Sequence, residues 1–346
     1  MKSLAAVALV LSLSALCADP AQQRKNPDKR IALRTAALAE GASAWLAALP
    51  EELRQRASQP FDSEGRKLWG YMGGSHGGVA LGEQSPDERR LQDLLLREAL
   101  SHTGYLKLHA IESLEEVLER DPSAYFMTVF GDPSGTDPWG FKLEGHHVSL
   151  NFTLQKDEFV SATPLFLGAD PARVEKGARI GLEIFYQEEK LMRDLLGSFP
   201  DGMRRSAALR GKTPDDVLRG PDHTELFKER EGVPPGQMTG APMGLLAKLM
   251  NQHTAVLHEE LAVMSMDRYR DGDVRDLDFI WSGMGKTGEP LYYRIQSVQK
   301  GFAIEYVNRG NHVHTLWRDT AQDFGSGGLA AWEKRSSEES DDGEQR

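Results

Sequence analysis

An α+β fold is what the sequence predicts, with an antiparallel β-sheet core, a helical N-terminal layer and inserted helices. Apolar side chains recur at helical spacing through much of 27–120. From residue 124 the texture changes to short runs rich in β-branched and aromatic residues between Gly/Pro/Asp clusters, and it returns near the C-terminus. Strands and helices come in blocks rather than as alternating βαβ units, which argues against a doubly wound parallel sheet.

The chain opens with "MKSLAAVALVLSLSALCADPAQQ": one lysine, an uncharged apolar run over 4–16, then small and polar residues. This reads as a secretory signal peptide ending near residue 18. The run falls short of the about 20 apolar residues of a membrane span, and no later stretch approaches one. The expectation is a periplasmic or secreted protein without a membrane span. Lipid anchoring at Cys17 is disfavoured, because Leu16 is a poor residue before a modified cysteine. Cys17 is the only cysteine, so no internal disulfide is expected even in a compartment that permits one.

The 346 residues carry 41 Lys+Arg against 52 Asp+Glu, a formal net charge of -11. That balance gives no electrostatic footprint for nucleic acid. Part of it is local: the tail "EKRSSEESDDGEQR" lacks aromatics and reads as disordered over 331–346. Between leader and tail, 19–330 reads as a single α+β domain, with the helical layer over 27–120 and the sheet and remaining helices over 124–325.

In chain order, Ile31, Ala32, Leu33, Ala36, Leu38, Trp45, Leu46 and Leu49 trace a helical stripe that Pro50 stops. The glycine-rich "GYMGGSHGGVALGEQ" around His76 reads as a connector, the other reading being a flap over a site. Ser85 as N-cap and Pro86 at the first helical position start a strong helix through "DERRLQDLLLREAL". "SLEEVLERD" is a further short one. "YFMTVFGDP", "WGFKLEG", "HHVSLNFTL" and "FVSATPLFLGADP" read as strands. Helices return at "GLEIFYQEEKLMRDLLGSF" and "MGLLAKLMNQHTAVLHEELAVMSMDRYRD", flanking a polar excursion. "LDFIWSG", "LYYRIQSV", "GFAIEYVN" and "HVHTLWRD" complete the sheet.

The last two strands, joined by "NRGN", sort their side chains onto two faces. Setting Val307 opposite His312 and Glu305 opposite His314 puts Phe302, Ile304, Tyr306, Val313 and Trp317 together. Glu305, His312, His314 and Arg318 then gather on the other face. In the earlier hairpin, a tight turn at Glu144-Gly145 places Lys142 against His147. Trp139, Phe141, Leu143, Val148, Leu150 and Phe152 share its apolar face with His146, while His147, Ser149, Asn151 and Thr153 line the polar one. The two adjacent histidines are expected to point opposite ways.

Two histidines at i and i+2 on a strand project to one side, close enough for both imidazoles to reach one ion. His312 and His314 with His147 make a three-nitrogen set that leaves a coordination position open, as catalytic zinc sites do. All-imidazole ligation suits a divalent transition metal, Zn, Fe or Cu, without choosing among them. Glu305 is the candidate catalytic base, or the carboxylate that orients a ligand imidazole. Arg318, Arg294, Asn151 and His146 are candidates for binding a small polar or anionic substrate, the arginines through their forked donors. A structural salt bridge is the competing reading for each arginine. His253 lies on a helical apolar stripe and reads as a core histidine. "GMGKTG" at 283–288 fails as a phosphate loop, because the first glycine of that pattern falls on Ile280 and a strand follows.

The stretches "FGDPSGTDPWGFKLEGHHVSLNFTL", "PLFLGADP", "YYRIQ", "IEYVNRGNHVHTLWRD" and "DFG" together resemble an uncharacterised, mainly bacterial family catalogued as domain of unknown function 3500, over about Trp45 to Gly325. The resemblance implies a secreted or exported protein and supplies no reaction. The residues themselves point to a secreted or periplasmic metal-dependent enzyme, a hydrolase of a small polar or anionic substrate. Two other readings stay open: a non-enzymatic periplasmic protein that binds a ligand or metal, and a metal-free histidine/glutamate acid–base site.

Overall fold

A computed structural model describes residues 27–74, 76–156, 158–223, 225, 227–267, 276–283 and 290–330. The expected signal peptide with Cys17, the acidic tail over 331–346 and most of "GMGKTG" lie outside the described residues. Among the described residues no helix is long and apolar enough to cross a membrane.

Pro50 does end the first helix, α1 (Pro27–Ala48), but a short second helix, α2 (Glu51–Ala57), starts directly on it. The two-residue strands β1 (Ser58–Gln59) and β2 (Val79–Ala80) flank the glycine-rich stretch. Helix α3 (Pro86–Ala99) begins as its sequence predicts. Ser85 Oγ accepts from the Glu88 N–H and Glu88 Oε2 accepts from the Ser85 N–H, a reciprocal cap with Pro86 in the first turn. Helix α4 (His102–Val117) is longer than "SLEEVLERD" suggested. Ser101 caps it through the Gly104 N–H, and Gly104 is demanded because a Cβ there would lie 2.0 Å from the Val256 carbonyl oxygen.

Four strands follow as expected: β3 (Tyr125–Phe130), β4 (Pro138–Gly145), β5 (Val148–Gln155) and then the "FVSATPLFLGADP" segment, which splits into β6 (Glu158–Ser161) and β7 (Leu165–Ala169). Helices α5 (Tyr186–Ser198) and α6 (Asp201–Ala207) come next. The helical stretch expected near 243–271, whose last residues, 268–271, lie outside the described ones, is two helices, α7 (Ala241–Thr254) and α8 (Glu259–Asp267), interrupted where Leu257 bridges to Leu100. Strands β8 (Asp278–Gly283), β9 (Leu291–Ser297), β10 (Phe302–Asn308) and β11 (Val313–Asp319) complete an 11-stranded sheet in the order β1-β3-β4-β5-β7-β11-β10-β9-β8, with β2 on β3 and β6 on β5. Every pairing among these strands is antiparallel except that of β1 with β3. The α+β fold with its N-terminal helices is therefore the one the sequence predicts.

Both hairpins differ in register from the expectation. In β10–β11 the pairs are Val307 with His314 and Glu305 with Leu316, a slip of two residues. Arg309 N–H bonds His312 O at 2.9 Å, so the turn is Gly310-Asn311, with Gly310 at φ 80 supplying the left-handed conformation that a two-residue turn requires. In β4–β5, Gly145 pairs with Val148 and Lys142 with Asn151, so the turn is His146-His147 itself, with His147 at φ 65. Both slips are even-numbered, and an even slip leaves every side chain on its face.

One face of the sheet is accordingly apolar. Phe141, Leu143, Leu150, Phe152, Ile304, Tyr306, Val313 and Trp317 join Leu38, Trp45, Leu95, Ile111, Leu195 and Leu249 of the helices in one buried cluster. The other face carries Thr128, Lys142, Glu144, Ser149, Asn151, Arg294, Gln296, Glu305, His314 and Arg318, all of them buried. Loops cover this polar face. A small apolar patch of Tyr71, Phe166, Val217, Tyr292, Val307 and Leu316 pins them down.

Candidate metal centre

The tips of the two hairpins meet. β5 and β11 both pair with β7, so the His146-His147 turn and the start of β11 flank Gly168 from either side. Gly168 N–H bonds His147 O at 2.8 Å, and Gly168 pairs directly with His314. A Cβ on Gly168 would fall 2.7 Å from His147 Cδ2 and 3.1 Å from His314 Cδ2. A glycine here is what lets the two imidazoles stand side by side.

His147, His312 and His314 are brought together as the sequence predicts. His312 Nε2 lies 2.8 Å from His147 Nε2 and 3.0 Å from His314 Nε2, and ligand atoms of the three sit within 4.8 Å of one another. Three imidazole nitrogens around a tetrahedral ion at about 2.0–2.1 Å would be separated by little more than this. His147 and His314 are buried, whereas the His312 side chain is 29% exposed and forms the open side of the cluster.

His314 Nδ1 contacts Asp216 Oδ1 at 2.6 Å. A carboxylate there accepts a hydrogen bond from Nδ1 and orients the ring so that Nε2 faces the other two imidazoles. Burial works to raise the Asp216 carboxyl, but the His314 contact and the Val217 N–H at 2.7 Å outweigh it and hold the group below its ordinary range. Tyr71 closes the same corner. Its ring stacks on Phe166 with centroids 3.7 Å apart, meets His314 edge-on, and its hydroxyl donates to Asp216 Oδ2 at 3.4 Å. Burial, reinforced by Asp216, pushes the Tyr71 hydroxyl well above its usual range, so it stays a neutral donor. Tyr71 O also accepts from His147 N at 2.9 Å.

Burial likewise drives the His147 imidazole far below its ordinary pKa, and burial with the neighbouring His314 lowers His312. Neutral imidazoles are what a cation needs as ligands. The three ring nitrogens converge on one point at a spacing that could hold an ion.

His146 is not turned away from His147: the two rings lie 3.9 Å apart between centroids. The register error explains this, since both residues occupy the turn rather than successive strand positions. His146 Nδ1 contacts Glu115 Oε1 at 2.5 Å, and Arg120 Nη1 lies 3.1 Å from both of its ring nitrogens. Glu115, His146 and His147 also have ligand spacing, but the Arg120 guanidinium already supplies the positive charge there.

The other candidates are buried on the polar face and committed to the loops. Glu305 accepts from Leu218 N at 2.8 Å, Arg219 N at 2.9 Å and Tyr292 Oη at 2.8 Å. Burial raises its carboxyl, opposed by those donors and by Arg294. The slip in β10–β11 sets it against Leu316, so it stands apart from the imidazoles. Arg318 holds Asp323 at 2.8 Å and donates to the carbonyls of Arg219 and His223. Arg294 holds Glu231 at 2.5 Å beneath the Phe227 ring. Asn151 donates to Pro164 O at 2.8 Å and Ser149 Oγ at 3.2 Å. His76 bonds Met72 O within its own loop, and His253 is a buried core histidine bonded to Tyr293 Oη at 2.7 Å.

Asp216, Tyr71, Glu115 and Arg120 are the neighbours that sequence reasoning missed. Asp216 sits in the polar excursion, in "TPDD", and Tyr71 in the glycine-rich stretch. The usable signal was chemical: a ligand imidazole needs a carboxylate on its second nitrogen, and these stretches supply loop carboxylates.

A family model described as "Protein of unknown function (DUF3500)" matches residues 32–326, in agreement with the resemblance read from the sequence. No curated protein and no solved structure matches the chain.

Proposed function

The chain belongs to the DUF3500 family, and from that premise we propose that it is a secreted or periplasmic metal-dependent enzyme, most simply a hydrolase of a small polar or anionic substrate. The observation that carries this reading is the convergence of His147, His312 and His314 with Asp216 behind His314. Zn, Fe and Cu all suit the donor set. His147, His312 and His314 would hold the ion, which would supply Lewis-acid chemistry to a substrate oxygen and to water near neutral pH.

The protein's own residues supply the rest. His147 and His314 are held from both sides, by Gly168 and Tyr71 and by Asp216, so the donors need little rearrangement. The half-exposed His312 marks the side from which substrate enters. Arg120, exposed beside His146, is placed to receive an anionic group of the substrate. Export rests on the leader sequence.

The test is turnover of a panel of chromogenic carboxylic and phosphate esters by metal-loaded protein. The reading expects pH-dependent hydrolysis that chelation abolishes and that the double variant His312→Ala/His314→Ala lacks. Stoichiometric metal binding without turnover of any substrate would favour a non-enzymatic binding protein. Turnover unaffected by chelation would favour a metal-free acid–base site.

A further inference from the structure

A cavity of about 520 Å³ lies over the polar face of β3 and β4, where the glycine-rich stretch crosses it. Its volume falls within the range of small-molecule sites, about 300–1,000 Å³. Thr128, Lys142 and Glu144 reach it from the sheet, and Leu68 and Trp69 wall it from the covering loop. None of these residues belongs to the histidine cluster.

The fixed charges on the lining are already spent. Lys142 and Glu144 pair at 2.7 Å. The remaining Lys142 protons go to Gly65 O at 3.0 Å and Leu68 O at 2.8 Å, and Glu144 Oε1 takes the Gly70 N–H at 3.1 Å. An ionic ligand would meet a floor that is neutral and saturated.

The uncharged groups are not spent. Ser63 and Trp69 are half-buried, and the Ser63 hydroxyl and the Trp69 indole N–H have no hydrogen-bond partner among the described residues. Gln59 Nε2 donates to Gln55 O and Arg56 O, both at 3.3 Å, which leaves Oε1 as an acceptor. His76 Nε2 donates to Met72 O at 2.9 Å, while its Nδ1 is 3.9 Å from Glu144 Oε2, beyond hydrogen-bond reach. Trp69 packs partly against the small apolar patch around Tyr71 and also lines the cavity. Gly77, exposed on the same lining, leaves its part of the mouth open: a Cβ there would meet nothing within 4 Å.

An apolar ring could rest on the indole but would leave the Ser63, Gln59 and His76 polar atoms without partners. A ring with an apolar face and hydroxyls around its edge meets both demands. We propose that this cleft binds a neutral saccharide, with one sugar ring packed against Trp69 and its hydroxyls bonded to Ser63 Oγ and Gln59 Oε1. The site shares no residue with the histidine cluster and does not depend on a metal.

Calorimetry and tryptophan fluorescence on the full chain test it, with cellobiose, maltose and lactose as probes and glucuronate and cyclohexanol as controls. At least one disaccharide binds, about tenfold more tightly than either control, and shifts the indole emission. Ser63→Ala removes a hydroxyl that bonds nothing in the fold and weakens that disaccharide about fivefold, the worth of one neutral hydrogen bond. Trp69→Ala weakens it about tenfold, and Trp69→Phe abolishes the emission shift while keeping part of the affinity. Chelation and His312→Ala/His314→Ala leave these affinities unchanged, so a failure of the metal reading is seen separately. The proposal is overturned if none of the disaccharides binds, if cyclohexanol or glucuronate binds as well as they do, or if affinity is unaltered in Ser63→Ala and in a folded Trp69→Ala. Loss of sugar binding on chelation overturns it too.

Discussion

On one face of the sheet Phe141, Leu143, Leu150, Ile304 and Trp317 meet helices; on the other, Lys142, Glu144, Glu305, Arg294 and Arg318 meet loops. The apolar face needs only shape and volume from its partners, because burial of hydrocarbon is non-directional. The polar face needs particular atoms. Lys142 Nζ donates to Gly65 O at 3.0 Å and Leu68 O at 2.8 Å, and Glu144 accepts from Gly70 N at 3.1 Å. Glu305 and Arg318 grip 218–223, Gln296 bonds Glu229 O, and Arg294 holds Glu231. Buried charges of this kind are stable only with specified partners. They therefore write the path of the covering loops, and those loops deliver Tyr71 and Asp216 to His314. The polar row is a rack for loops, with the histidine cluster at the point where both loops cross the hairpin tips.

The largest expected effect tests that rack. Glu305→Ala strands two backbone N–H groups and the Tyr292 hydroxyl, and should cost about 3–5 kcal/mol in chemical denaturation. It should also open 217–231 to limited proteolysis. Leu143→Ala on the apolar face should cost a similar 2–5 kcal/mol while those loops stay protected. Equal loop protection in the two variants would erase the distinction between the faces.

A middle-sized effect isolates the loop's contribution to the site. Asp216→Asn keeps the size of the side chain but removes the charge that orients His314, so metal affinity should fall about 10–100-fold while the metal-free protein still folds, with a somewhat lower melting temperature because a carboxylate held below its ordinary range stabilises the fold. Competition with a chromophoric chelator measures this. An unchanged affinity would reduce Asp216 to a bystander.

The smallest effect lies behind the apolar face. Burial lowers the His253 imidazole to a pKa of about 3. The unfolded chain, with the ordinary value near 6.5, takes up the proton first, so this contribution to stability is full above about pH 6.5 and drains away as pH falls toward 3. His253→Gln keeps a bond to Tyr293 without titrating. Its melting temperature should drop a few degrees less than that of the wild type between pH 7 and pH 4; parallel curves would contradict the assignment.

The fold was legible because it rests on periodicity. Period-two alternation in β4, β5, β10 and β11 identified the strands and sorted the side chains within them by face, but misplaced His146, which lies in the turn beside His147. The sorting held even though the hairpin registers were off by two and four residues, because even slips preserve the alternation. Turn chemistry was the weak link: a His-His pair as a two-residue turn, with His147 at positive φ, lacks the glycine or asparagine that marks such turns. At the site, His312 and His314 could be read together because strand geometry points i and i+2 the same way, whereas His147 reaches them from the turn rather than from the strand position expected of it. Glu305, Arg294, Arg318 and Asn151 shared that face and so looked available, yet alternation says nothing about what covers a face. Asp216 and Tyr71 come from irregular segments whose positions depend on long-range bonds, and no local pattern encodes those.

X-ray absorption at the metal edge of the protein, after loading with one equivalent of zinc and removal of the excess, addresses the central claim most directly. The account predicts one tightly held ion with three imidazole nitrogens at about 2.0–2.1 Å, and a loss of imidazole scattering together with most of the metal in His312→Ala/His314→Ala. Metal that washes out to trace levels, or an identical spectrum and stoichiometry in the double variant, would contradict it.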